Sequence, residues 1–253
     1  MKKTVYASHY FAIDTGLKAP QYLIQYPYAR RFSPIQKSVF EAFESIRNDS
    51  QADFDQILKE LKAPLYFATS VGEIDSVTKV IGSVLNNDLP VSPTAFQHSV
   101  HNAAAGHISI YYGLRSPQLT FSSGFLSLDK ALFNAFHKIS SGLVPAICVF
   151  AASEYLKPDR SIFSRSEICF LSDAPLGKKG LCYEILDYNF FDHEREKFSS
   201  SEIETNQIEK MQFKESKNIE FCGLKLMNAP NNFVRSISDL DGESLTSRWN
   251  RML

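Results

Sequence analysis

The chain has 253 residues, 44% of them apolar and 22% charged, with a formal net charge of -1 at pH 7. That is an ordinary globular composition, long enough for one large domain or two small ones with a sizeable core. The near-zero charge, and aromatic residues that do not interleave with a basic patch, give no electrostatic case for nucleic acid or an anionic membrane as partner. The opening MKKTVYASHYFAIDTG is too polar for a signal segment. No later window approaches a membrane span, so a cytoplasmic protein is expected.

Residues 4–13 alternate polar and apolar with Val, Tyr and Phe enrichment, which predicts a first strand ending at Asp14-Thr15-Gly16. After a Pro- and Tyr-bearing loop, Ser33 and Pro34 suit the N-cap and first position of a helix whose stripe is Val39, Phe40, Phe43 and Ile46. A second helical piece is predicted over 53–61, a strand over 64–70, and a helix through Val77, Val80, Ile81 and Val84 that stops in Asn86-Asn87-Asp88. The order β-α-α-β-α argues for a layered α/β sheet. An Ala-rich helix follows over 102–112, then a short strand over 118–122. Leu126, Leu128, Ala131, Leu132, Ala135 and Phe136 give a buried, nearly all-apolar helix ended by Gly142. Residues 143–152 (LVPAICVFAA) are a fully buried strand, with two more over 166–172 and 180–191 joined by a hairpin-like turn at 174–179. From His193 the chain is charged and Ser-rich, consistent with a linker, an exposed helix or partial disorder. A last strand is expected over 219–227, and 233–253 reads as a polar tail. Cys148, Cys169, Cys182 and Cys222 each sit in an apolar, strand-like run without C-x-x-C spacing, the pattern of buried free thiols rather than of disulfides or metal ligands.

The stretch that organises the rest is residues 92–125, SPTAFQHSVHNAAAGHISIYYGLRSPQLTFSSGF. With Ser92-Pro93, Asn102, Ala105-Gly106-His107, Gly113-Leu114-Arg115 and Pro117, it resembles the N-terminal half of the β-ketoacyl synthases, condensing enzymes of the thiolase fold. The resemblance extends more weakly over residues 4–187, including an Ala-Ala-Ser-Glu ending at Glu154 where the family shows Gly-Gly-Ala-Glu. It implies an α/β, layered thiolase-like fold, essentially the N-terminal half of it: a mixed five-stranded sheet flanked by helices over residues 1–192. Residues 193–253 would be a polar linker and C-terminal extension.

In the family a strand leads to an Ala-Cys pair whose cysteine carries the acyl group. Counted without gaps from Gly113, that position is Phe125, in a turn formed with Ser123 and Gly124. A phenyl ring is no nucleophile, and Ser122, Ser123 and Ser127 have no general base identifiable from sequence. Both catalytic histidines of the family lie in its second half, whereas residues 194–253 contain no histidine. The resemblance therefore implies no catalytic residue and no cofactor. It points to a chain-length factor, a ketosynthase-like subunit that heterodimerises with an active β-ketoacyl synthase and meets acyl carrier protein through that complex. The chain resembles the truncated factors of the aryl polyene type II polyketide systems. Carried over by position, Phe96, Ser99, Val100 and Asn102 would face the partner and its acyl tunnel, and Phe125 would fill the vacated pocket. His98, His101 and His107 invite a zinc reading, but no carboxylate lies nearby in sequence to complete a site, so no metal is expected. Two alternatives stay open. One is a divergent acyltransferase or malonyl decarboxylase using a serine near Phe125, and the other is a stand-alone acyl-binding module.

Overall fold

A computed structural model describes residues 2–15, 31–86, 91–124, 126–156, 162–176, 183–192, 209–212, 232–238 and 243–251. Helix α1 (Pro34–Asp49) starts as its sequence dictates: Ser33 Oγ accepts the Gln36 N–H at 3.2 Å, and Pro34 occupies the first position. Its stripe Ile35, Val39, Phe40, Phe43 and Ile46 is buried. Helix α2 (Gln51–Asp55) runs on into a π-helical turn (Gln56–Glu60), and strand β2 (Leu65–Ala68) follows. Then come α3 (Ile74–Leu85), α4 (Pro93–His98), α5 (Ala103–Tyr112), strand β3 (Gln118–Phe121) and α6 (Ser127–Ser140).

The other strands are β1 (Val5–Thr15), β4 (Ala146–Leu156), β5 (Ile162–Ser172), β6 (Tyr183–Asp192), β7 (Glu209–Gln212), β8 (Asn232–Ser238) and β9 (Glu243–Arg251). They form one mixed sheet in the order β3-β2-β4-β5-β1-β6-β9-β8-β7. Strands β3, β2 and β4 run parallel, because α3 to α5 and then α6 cross over between them; β4, β5, β1, β6, β9 and β8 pair antiparallel.

The mixed sheet flanked by helices is the architecture the sequence predicts, but among the described residues it has nine strands where five were expected. The difference lies mostly in the tail. Residues 233–253, read as a polar tail, supply β8 and β9, and β9 pairs along the whole of β6 from Tyr183↔Arg251 to Asp192↔Glu243. The sequence of these strands shows no clean apolar alternation, so hydrophobic periodicity did not find them. The expected strand at 219–227, the linker at 193–208 and the turn residues 177–179 lie outside the described residues. Cys182 and Cys222 do too, while Cys148 and Cys169 are buried free thiols as expected.

Alternation along the strands divides the core in two. Leu65, Phe67, Ala146, Cys148, Phe150, Ala152, Ile168 and Phe170 face α1, α2 and α5, where Phe40, Phe43 and Phe54 pack. Tyr66, Ala68, Ile147, Val149, Ala151, Cys169 and Leu171 face α6 through Leu128, Ala131, Leu132, Ala135 and Ile139. Serines fasten α1 to the sheet: Ser164 and Ser166 donate to the Pro34 and Ser38 carbonyls at 3.0 and 2.7 Å.

Candidate functional site

The turn between β3 and α6 is set by a serine clip. Ser127 Oγ accepts the Ser123 N–H at 2.8 Å and directs its own proton at the carbonyls of Gly124, 2.7 Å, and Thr69, 3.0 Å. Gly124 has φ +53°, in the left-handed region that favours glycine, with open space where a Cβ would sit. Leu126 and Ser127 are fully buried on the far side of the turn. Phe125 itself lies outside the described residues, but the turn carrying it is described on both sides.

The clip bears on the serine readings. Ser127 is buried, and its hydroxyl is already committed to three backbone groups. Ser123 Oγ accepts a hydrogen bond from Lys130 Nζ at 2.9 Å. Among the described residues no histidine or carboxylate, the usual general base of an acyl-serine mechanism, bonds to Ser122, Ser123 or Ser127.

The four residues expected to face a partner do gather at one corner, where α4 hands over to α5. Phe96 is 62% and Val100 48% exposed. Ser99 is partly exposed and donates to the Phe96 carbonyl at 2.8 Å, while Asn102 is exposed at the N-terminus of α5. The corner is braced from inside by histidines. The His98 and His107 rings meet edge to face at 5.6 Å, with Phe32 against His107 at 5.0 Å, and burial pushes both imidazoles down from their ordinary pKa. His101 lies on Gly72, so close that a Cβ there would meet its Cδ2 at 2.8 Å; with φ +71°, that position accepts only glycine without strain. Among the described residues no three His, Cys, Asp or Glu side chains could hold a metal ion.

The loop from Thr69 to Glu73 ties corner and turn together, since Thr69 O receives Ser127 and Gly72 receives the His101 ring. Beneath it lies a polar network that the sequence reading largely missed. Gln36 Nε2 donates to Glu73 Oε1 at 2.8 Å, the Asp75 N–H donates to Glu154 Oε2 at 3.0 Å, and the Ser70 and Ser153 hydroxyls are 2.8 Å apart. Glu154 was visible as the end of the Ala-Ala-Ser-Glu run; nothing in the sequence marked its proximity to Glu73.

The β-ketoacyl synthase N-terminal domain model matches residues 17–165, more than half of the chain. The chain belongs to that family. Solved structures give the same fold. With a chain of the complex between a ketosynthase and its chain length factor from Xenorhabdus doucetiae it shares 16% identity, at a TM-score of 0.59, over 99% of this chain and 100% of that one. With a chain of a type II polyketide ketosynthase bound to the hexaketide, in complex with acyl-carrier protein, the values are 12% identity and TM-score 0.69, over 99% and 100%. For the ishigamide ketosynthase/chain length factor they are 11% and 0.62, over 100% and 99%. At these identities the likeness is one of fold. No curated protein matches the chain.

Proposed function

We propose that this chain is a non-catalytic, chain-length-factor-like subunit that heterodimerises with an active β-ketoacyl synthase and helps shape its acyl tunnel, in aryl polyene polyketide or fatty-acid-type biosynthesis. The observation that carries the reading is the turn between β3 and α6. Its sequence offers Phe125 where the family has its nucleophile, and the hydroxyls of Ser123 and Ser127 are held by Lys130 and by the backbone. Condensation needs an activated nucleophile and donors for the developing charge. A partner subunit would supply both.

The surface supports such a partner. Strand β3 ends the sheet among the described residues, with Leu119 exposed on it. An open strand edge offers unpaired backbone groups to another chain. The exposed Phe96 and Val100 sit with Ser99 and Asn102 at the α4–α5 corner, from which side chains would reach the partner's acyl tunnel. Acyl carrier protein would meet the complex rather than this chain alone.

Co-expression with a β-ketoacyl synthase of the same biosynthetic system tests the reading, with size-exclusion and mass analysis followed by malonyl-carrier turnover for each chain and for the pair. A one-to-one complex, active only when the partner keeps its cysteine, is the expected result, and Ser99→Phe should then shorten the products. Turnover by this chain alone, abolished by Ser123→Ala, would replace the proposal with a serine acyltransferase. A stable monomer with no affinity for any ketosynthase would replace it with a stand-alone acyl-binding module.

A further inference from the structure

Two carboxylates are buried together beneath the Thr69–Glu73 loop. Glu73, at the N-cap of α3, is 3% exposed, and Glu154, in β4, is 2% exposed. They reach the same place from different elements. Ser33, Gln36 of α1 and Ser76 of α3 donate to Glu73, the last two at 2.8 and 3.4 Å, and the Asp75 N–H donates to Glu154 Oε2, whose carboxylate also receives the Ile35 and Ile74 backbone. Neither acid has a lysine, arginine or histidine ion partner among the described residues. Two acceptor atoms in this network, Glu154 Oε1 and Gln36 Oε1, are buried without any hydrogen-bond donor.

Two adjacent buried negative charges with no cationic partner among the described residues would each bear the cost of leaving water and would also repel one another. A buried acceptor without a donor adds a further penalty. A single proton relieves all three. It removes one charge, ends the repulsion and adds an O–H donor beside two acceptor atoms that have none.

We propose that Glu73 and Glu154 carry one negative charge between them at neutral pH: one is a carboxylic acid whose proton, taken from solvent, bolts the start of α3 to the ends of β4 and α1. Burial, with the Glu154 charge adding to it, pushes Glu73 up to about 7, and burial raises Glu154 as well. The other charged groups on the packed elements do not replace the proton. Asp75 and Lys79 of α3 pair with each other at 2.6 Å. Arg165 and Glu167 of β5 pair at 3.1 Å, and they alternate with Ser164 and Ser166, which are the residues turned toward α1. Lys37, next to Gln36, makes no ion pair with either acid among the described residues, and the His101 ring rests on Gly72.

The pair is therefore a pH-sensitive bolt. An acid whose pKa is raised on folding binds more protons in the folded state, so the stability it contributes is whole below the unfolded value and is lost as pH climbs through about 7. The part that loosens is the loop on which both the Ser127 clip and the His101 brace rest.

The inference stands on burial and bonding, independent of any partner, so the isolated full chain can test it. Carboxyl-carbon NMR with labelled glutamate should show one glutamate resonance titrating near neutrality, well above the others. Glu73→Gln and Glu154→Gln assign that resonance, and each variant should bring the surviving acid's titration down. Amide exchange over residues 69–77, corrected for its intrinsic pH dependence, should rise between about pH 6 and about pH 8 in the parent and stay level in Glu73→Gln. Were every glutamate in the parent to titrate in the ordinary carboxylate range, the proposal would be overturned. That observation needs no variant to fold.

Discussion

Helices α3 and α6 both follow parallel strands and both are rich in apolar residues, yet they meet opposite fates. In α6, Leu128, Ala131, Leu132, Ala135 and Ile139 are buried against the sheet. In α3 only Ser76 is buried, and Ile81, Val84 and Leu85 stand out in water, Leu85 at 76% exposure. Apolar content gives a helix something to bury but does not choose the surface. Helix α6 crosses the face of β2 and β4 and finds a core, while α3 is pushed to the margin, where its chief neighbour is the short α4. Single exposed leucines are normal, but a helix with Ile81, Val84 and Leu85 outside and Ile74, Val77 and Val80 only half-buried is a surface awaiting a cover.

The sharpest way to break this contrast is a truncation in α6. Leu132→Ala should cost about 2–5 kcal/mol in urea unfolding, because the fully packed site cannot collapse around the void. Ser127→Ala comes next, at about 1–3 kcal/mol, since it leaves the Ser123 N–H without its acceptor and unties the turn from Thr69. Ser33→Ala should cost about 1 kcal/mol through loss of the α1 cap. Melting temperature should also fall by a few degrees as pH rises from about 4.5 to about 7, because over that range the unfolded chain releases a Glu73 proton that the fold still holds, and Glu73→Gln should flatten that slope.

Much of this was legible in the sequence for physical reasons. The caps at Ser33-Pro34, the apolar run of α6 and the alternating strands are local patterns, and the structure keeps them. The organising stretch placed the β3 turn and the α4–α5 corner because spacing along a chain fixes which elements meet. What escaped was non-local. Strand β9 pairs with β6, a partner more than fifty positions away, and its own polar composition read as a tail. Glu73 and Glu154 are 81 positions apart, and only the fold brings them under one loop. Helix α3 was predicted as a helix and is one, but a sequence does not say whether an apolar stripe will face a core or water.

The smallest effect on the fold is expected where the contrast predicts almost none. Val84→Asp in α3 removes a side chain that is already largely solvated, so its unfolding free energy should stay within about 0.5 kcal/mol of the parent. The same change would place a charge on an apolar surface that a partner subunit would have to desolvate, and pairing with a ketosynthase should weaken by tenfold or more, read by titration calorimetry of the purified subunits. The two measurements separate the possible meanings of the exposed stripe. A large stability loss would mean that α3 packs on this chain after all and that the comparison with α6 is false. Unchanged stability with unchanged pairing would confine the partner's footprint to β3 and the α4–α5 corner. Unchanged stability with lost pairing would make α3 the apolar continuation of that footprint.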